Sequence, residues 1–272
     1  MIPDGRWCGV GIPQLRFYLT GRIIVEGREL LDQSQLPGRQ GRLALVYLVA
    51  HRHRPVRVDE LAAALWGDEL PPSWEPSLRA IVSKLRSRLD GVGAHGLRRE
   101  AGCFHVLVGD AWVDLEAAAN ALDRAEGAWR RGDVDTAWSE ATVAASITQR
   151  SLLDGEDLPW VDGIRRELEQ RAIRALDVLS QVHLARGDHA LAAASARRMI
   201  ALAPFREMGY QLLMLADTGA GDPAEALRTY RRLTVLLAEE LGTAPTPATQ
   251  ELFERILTSG PPRSRERVRG GE

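Results

Sequence analysis

Three times in its second half the chain spells Gly-Asp-x-x-x-Ala: Gly132-Asp133 with Ala137, Gly187-Asp188 with Ala192, and Gly221-Asp222 with Ala226. No other feature restricts the fold as tightly. Glycine ends a helix because it enters the left-handed conformation without a side-chain clash, and an adjacent aspartate caps the first N–H groups of the next helix. The alanine one turn later lets two helices cross closely. Each copy therefore predicts the turn of a helical hairpin. The last two copies lie 34 residues apart, the tetratricopeptide period, and the first two lie 55 apart, which is 34 plus an insertion of 21. A loop at 150–162 and a longer third helix absorb that excess.

Around these turns the Ala- and Leu-rich segments keep helical spacing, as in the stripe Leu115, Ala118, Leu122, Ala125 and Trp129. Hairpins are expected at about 114–149, 162–203 and 205–241, with a closing helix at 246–257. Such hairpins expose an apolar face until neighbours stack on them, so residues 113–258 predict an all-α, tetratricopeptide-like solenoid with a concave groove. Residues 259–272 offer no apolar surface to fold around and read as a disordered, basic tail.

Residues 1–112 have a different texture. Residues 15–30 alternate around Thr20-Gly21 and Glu26-Gly27, which predicts a small sheet. Helical spacing follows at 42–51 and 59–66, and after the connection 67–72 comes the most informative helix, 73–90. One stripe of that helix is apolar: Leu78, Ile81, Val82, Leu85 and Leu89. Ala80, Ser83 and Ser87 make the centre of the opposite face, flanked by Arg79 and Arg86 on one side and Lys84 and Arg88 on the other. Arginines on a solvated helix face are ordinary. A low ridge between two cationic rails, third in a series of helices, instead suits a recognition helix lying in a major groove. Residues 97–108 then form two short extended runs around Ala101-Gly102, a hairpin that carries Arg98 and Arg99 as a wing beside the helix. The fold expected is mainly α: a winged helix-turn-helix of the response-regulator output type, α+β, followed by the solenoid.

Composition excludes several other functions. Hydrophobic residues make up 45% and charged residues 26%, with no run of eighteen apolar residues and no basic-then-apolar leader, so a membrane span and secretion are not expected and the location expected is cytoplasmic. Residues 1–112 carry 15 Lys+Arg against 12 Asp+Glu, and residues 113–272 carry 20 against 25, a mildly basic front on an acidic back. Lys84 is the only lysine, and it sits inside a helix after Val82-Ser83, so there is no phosphate-binding loop of the Gly-x-x-x-x-Gly-Lys type. Cys8 and Cys103 form no metal-ligand pair, and His51 and His53 read as contacts to a helix C-terminus. Asp154, Glu156 and Asp157 read as a solvated loop. No catalytic frame, metal or cofactor site is expected.

Two sets of residues resemble known families. The stretch Glu60, Leu61, Leu65, Trp66, Gly67, followed by Val82, Ser83, Leu85, Arg86, Leu89, is similar to the DNA-binding half of the actinobacterial antibiotic regulatory proteins. The second half resembles the bacterial transcriptional activation domain of the same regulators, through Pro204-Phe205-Arg206-Glu207, Leu212-Leu213-Met214, Ala224-Glu225-Ala226-Leu227-Arg228-Thr229-Tyr230 and Glu239-Glu240-Leu241-Gly242. Together the resemblances cover roughly residues 15–257. Gly102-Cys103-Phe104 departs from the Gly-Tyr common in the family's wing, and Asp217-Thr218-Gly219 stands where basic or aromatic residues are more usual.

The resemblance implies a transcription activator that binds direct repeats in double-stranded promoter DNA as a homodimer, contacts RNA polymerase holoenzyme and switches on secondary-metabolite gene clusters. The DNA-contacting residues expected are Ser77, Arg79, Ser83, Lys84, Arg86 and Arg88 on the helix and Arg98 and Arg99 on the wing. No receiver domain is expected ahead of the first sheet, which leaves control to abundance, a partner or a ligand. Two readings from other classes stay open: a helical-repeat adaptor whose winged helix makes protein contacts, and a ligand sensor with Trp129, Trp138 and Trp160 lining a pocket.

Overall fold

A computed structural model describes residues 15–67 and 69–259; the predicted tail lies, from residue 260 on, outside the described residues. Strands β1 (Arg16–Tyr18), β2 (Ile24–Glu26) and β3 (Leu30–Asp32) come first, then helix α1 (Gly38–Ala50), β4 (Val56–Arg57), α2 (Val58–Trp66) and α3 (Trp74–Gly91). A hairpin of β5 (Leu97–Glu100) and β6 (Cys103–Val106) and a short β7 (Trp112–Val113) follow. The rest is helical: α4 (Asp114–Arg130), α5 (Val134–Thr148), α6 (Pro159–Arg186), α7 (His189–Leu202), α8 (Glu207–Gly219), α9 (Pro223–Leu241) and α10 (Pro247–Ser259). Among the described residues packing forms two compact units, one of 15–123 with 143–172, the other of 124–142 with 173–259.

In the first unit, α1 is buried at every position from Leu43 to Val49, as expected of a helix covered on all sides. The sheet expected from residues 15–30 forms in the order β3-β2-β1-β7. Its fourth strand was not anticipated: β7, read as the beginning of helical texture, pairs parallel to β1, Phe17 opposite Val113. Asp114, fully buried, opens α4 and accepts hydrogen bonds from Leu19 N, Thr20 N and Thr20 Oγ1 at 2.8–2.9 Å and from Leu115 N at 2.8 Å. Burial nevertheless pushes its carboxyl above the usual range. The second sheet, β4-β6-β5, adds an unpredicted strand to the hairpin, with Val56 opposite Phe104. Two-residue strands are too short for alternation to reveal.

The loop before α6 corrects one expectation. Asp154 and Asp157 are exposed, but Glu156 is buried and its carboxylate takes Arg39 Nε at 2.8 and 3.0 Å, because Leu152, Leu153, Leu158, Val161 and Leu168 belong to the same core as Phe17, Leu48, Leu65 and Leu85. A loop threaded through a core cannot leave its central carboxylate in water.

The Gly-Asp turns fold as the sequence requires. Gly132, Gly187 and Gly221 take φ of 77°, 77° and 83°, and Ala137, Ala192 and Ala226 are fully buried. In each, the aspartate N–H returns to the carbonyl five residues back, of Ala128, His183 and Asp217, closing the end of the preceding helix. The capping expectation holds at Asp133, which accepts from Thr136 N, and at Asp222, which accepts from Glu225 N. Asp188 makes no side-chain cap; its carboxylate lies 3.9 Å from His183 Nδ1 instead. Helices α7 to α10 pack in succession through Ala196, Met199, Leu213 and Ala216, then Met214, Ala226, Leu252 and Ile256. The tryptophans are spoken for individually: Trp129 Nε1 donates to Gln181, Arg186 covers the Trp138 ring at 5.3 Å, and Trp160 Nε1 donates to Ala64 O. Among the described residues no helix is long and apolar enough to cross a membrane.

Candidate nucleic-acid interface

Leu78, Val82, Leu85 and Leu89 fix α3 from inside, so the face opposite them must look outward. Arg79, Ala80, Ser83, Lys84, Ser87 and Arg88 are all exposed there, and Ser77 is half-buried at the edge. The centre of this face rises no higher than a serine. Lys84 and Arg88 have no acidic partner among the described residues, and Arg79 has only an exposed contact with Glu75 at 3.4 Å, one turn away. Such a pair is worth little in water and exchanges readily for a phosphate.

Arg86 is placed differently from its neighbours. It is half-buried, and its Nε donates to the Leu97 carbonyl at 2.9 Å, joining α3 to the first residue of the hairpin. The hairpin turn, Ala101-Gly102, has positive φ at both central residues, 48° and 76°, which suits the right-handed twist of its strands. Gly102 O accepts from Val58 N, so the turn is pinned to the start of α2. Arg98 and Arg99 fall on opposite faces. Arg98 shares its face with His105 and, through β4, with Arg57; Arg99 stands over the Phe104 ring at 6.0 Å. Arg98 also lines an open cleft of about 760 Å³ at the base of the hairpin, together with Arg28 and His95. Only the β4–β6 pairing brings Arg57 beside the hairpin, where its guanidinium donates to the Asp59 carboxylate at 2.9 Å.

A polar cluster holds α1 to α2. Glu60 accepts from Tyr47 Oη at 2.7 Å, from both Arg54 nitrogens at 2.5 and 3.1 Å, and from Arg57 N at 3.3 Å. The Arg54 guanidinium, against the opposing effect of burial, draws the Glu60 carboxyl down to about 2; burial and the Glu60 charge push Tyr47 up to about 12. His51 Nδ1 meets the Tyr47 carbonyl at 2.8 Å, the helix-end contact read from the sequence, while His53 pairs with Glu116. No group of three His, Cys, Asp or Glu among the described residues could hold a metal ion.

Chemically, the arrangement presents flexible cations and hydroxyls on a low helical face, with further arginines on an adjoining hairpin. Comparison with known proteins adds to this. Residues 113–257 match the model of the bacterial transcriptional activator domain. The regulatory protein AfsR of Streptomyces coelicolor is 34% identical over 251 residues, which are 91% of this chain and 24% of that protein. The transcriptional regulatory protein EmbR of Mycobacterium tuberculosis is 29% identical over 225 residues, 81% of this chain and 58% of that one. The chain thus spans about a quarter of the length of AfsR and somewhat over half of EmbR. The solved structure of Mycobacterium tuberculosis EmbR in complex with a low affinity phosphopeptide superposes with a TM-score of 0.81 at 26% identity, covering 91% of this chain and 66% of that one.

Proposed function

The chain belongs to the bacterial transcriptional activator domain family as a regulator of the antibiotic regulatory protein type, and from that premise we propose that it activates transcription by binding promoter DNA and recruiting RNA polymerase. Residues 1–112 supply a winged helix-turn-helix and residues 113–258 the activation domain. The observation that carries this reading is the outward face of α3, where Ala80, Ser83 and Ser87 leave space between Lys84 and Arg88 on one side and Arg79 on the other. A major groove admits a helix of that profile, and long cationic side chains reach guanine edges or phosphates from it. Ser77, Arg86 and the hairpin arginines Arg98 and Arg99 complete the contact set, with Arg86 also bracing the wing.

Exposed apolar side chains support the polymerase contact. Phe205 and Met208 remain 46% and 44% exposed, although Phe205 belongs to a motif that carries the family likeness. On DNA the protein is a homodimer on direct repeats, acting in the cytoplasm on genes of a secondary-metabolite cluster.

Gel shift against the chain's own upstream region, across a salt series, tests the reading. Affinity falls steeply with ionic strength, and Lys84→Ala or Arg88→Ala, where it removes a phosphate contact, flattens the log–log salt slope by about 1. Binding indifferent to both salt and these substitutions refutes it.

A further inference from the structure

Helix α2 ends at Trp66, so the carbonyls of its last turn lie beyond the reach of N–H groups within the helix. One of them, Ala64 O, accepts the indole N–H of Trp160 at 2.8 Å. The Trp160 ring also meets Tyr47 edge-on, with centroids 5.0 Å apart, and Leu158 is the side chain facing Gly67, the residue that turns the chain out of α2 toward α3. The end of α2 is therefore closed by a segment some 90 residues further along the chain.

That segment is itself tied at several points. Arg165 gathers the carbonyls of Leu152, Leu153 and Glu156 at 2.7–3.0 Å, Glu156 grips Arg39 of α1, and Ser151 O accepts from Gly21 N at 2.5 Å. Leu153 adopts φ of 50°, a conformation a leucine keeps only where its surroundings impose it.

We propose that Trp160, contributed by the activation-domain sequence, is a positioning residue for promoter recognition: it fixes the C-terminal end of α2 and thereby the approach of α3 to DNA. The inference rests on the promoter-binding reading but goes beyond it, since the hydrogen bond and ring contact of Trp160 go to α2 and α1, outside the α3 face. Leu158 is the apolar half of the same cap, and Glu156 with Arg165 holds both in place.

The test compares the full chain with Trp160→Phe, which keeps an aromatic ring against Tyr47 and drops the N–H donor, and with Trp160→Leu, which drops both. Hydrogen exchange over residues 61–67 reads the end of α2 without any DNA. Gel shift on the upstream fragment and on a scrambled duplex reads specific and non-specific affinity. Expected for Trp160→Phe are faster exchange confined to the end of α2, an unchanged thermal midpoint, and specific affinity lowered by about three- to tenfold, the scale of one hydrogen bond, with non-specific affinity retained. Trp160→Leu goes further in the same direction. Wild-type exchange in Trp160→Phe overturns the proposal, as does local loosening with specific affinity intact. Faster exchange spread over the whole unit with a lowered midpoint also overturns it, by making Trp160 a general brace. If the unsubstituted chain binds no DNA, promoter binding itself fails and the positioning role with it, a result that exchange at α2 tells apart from failure of the cap.

Discussion

Two carboxylates show how placement sets the behaviour of a side chain. Glu60 lies well below the usual carboxylate value because Arg54, Tyr47 and the Arg57 N–H all favour its charged form. A group depressed on folding contributes stability above its unfolded value, about 4.5, and loses that contribution as pH falls toward the folded value of about 2. Glu60→Gln is therefore expected to flatten the acid limb of a urea-unfolding series between those pH values; an unchanged limb counts against the cluster. Asp217 is the opposite case. It occupies the position that Ala128 holds in the first Gly-Asp turn, it is buried with Oδ2 unpartnered, and burial pushes its carboxyl up against the opposing charges of Arg197, 3.7 Å away, and Arg232. A raised acid weakens the fold as pH rises from its unfolded value through its folded one. Asp217→Ala is expected to raise the urea midpoint at pH 7, and the gain shrinks in acid as the native carboxyl takes up its proton. Urea midpoints at pH 7 and pH 4 check both sign and trend.

Among the elements, the hairpin β5–β6 carries the clearest strain. A two-residue turn with positive φ at both centres prefers Asn-Gly, and this chain places Ala101 at the first of them with φ of 48°. Ala101→Asn is expected to stabilise by about 0.5–1 kcal/mol through a shift of the urea midpoint at constant slope. A loss would mean that the alanine methyl makes a contact the turn geometry does not reveal. The hairpin also separates its two arginines, since alternation sends Arg98 and Arg99 to different faces. That was readable from the sequence once a strand was assigned, yet adjacency made the two look like one cationic pair. Helix α3 was legible almost completely, because a five-residue apolar stripe determines which side chains face outward. The tie from Arg86 to Leu97 was not, because it depends on where the hairpin packs.

For the molecule as a whole, sequence texture and packing divide the chain along different lines. Texture changes at 112–113, whereas the core around α1 to α3 also takes in Leu152, Leu153, Leu158, Val161 and Leu168, and Asp114 ties α4 to the end of β1. A fragment of residues 1–112 is accordingly expected to lack a cooperative thermal transition and near-ultraviolet dichroism, while the full chain shows both; a sharp transition in the fragment refutes that dependence. What the sequence determined alone was local and periodic: helices from spacing, turns from Gly-Asp and Ala-Gly, the exposed face of α3, and a family likeness carried by short motifs. Such features depend on neighbours a few residues apart and need no knowledge of what packs against them. The tertiary structure alone decided the two-residue strands β4 and β7, the burial of Glu156, the anchoring of Arg86 and the closure of α2 by Trp160. Each joins residues between 11 and 117 positions apart, and pairings at such separations leave no period along the chain to read.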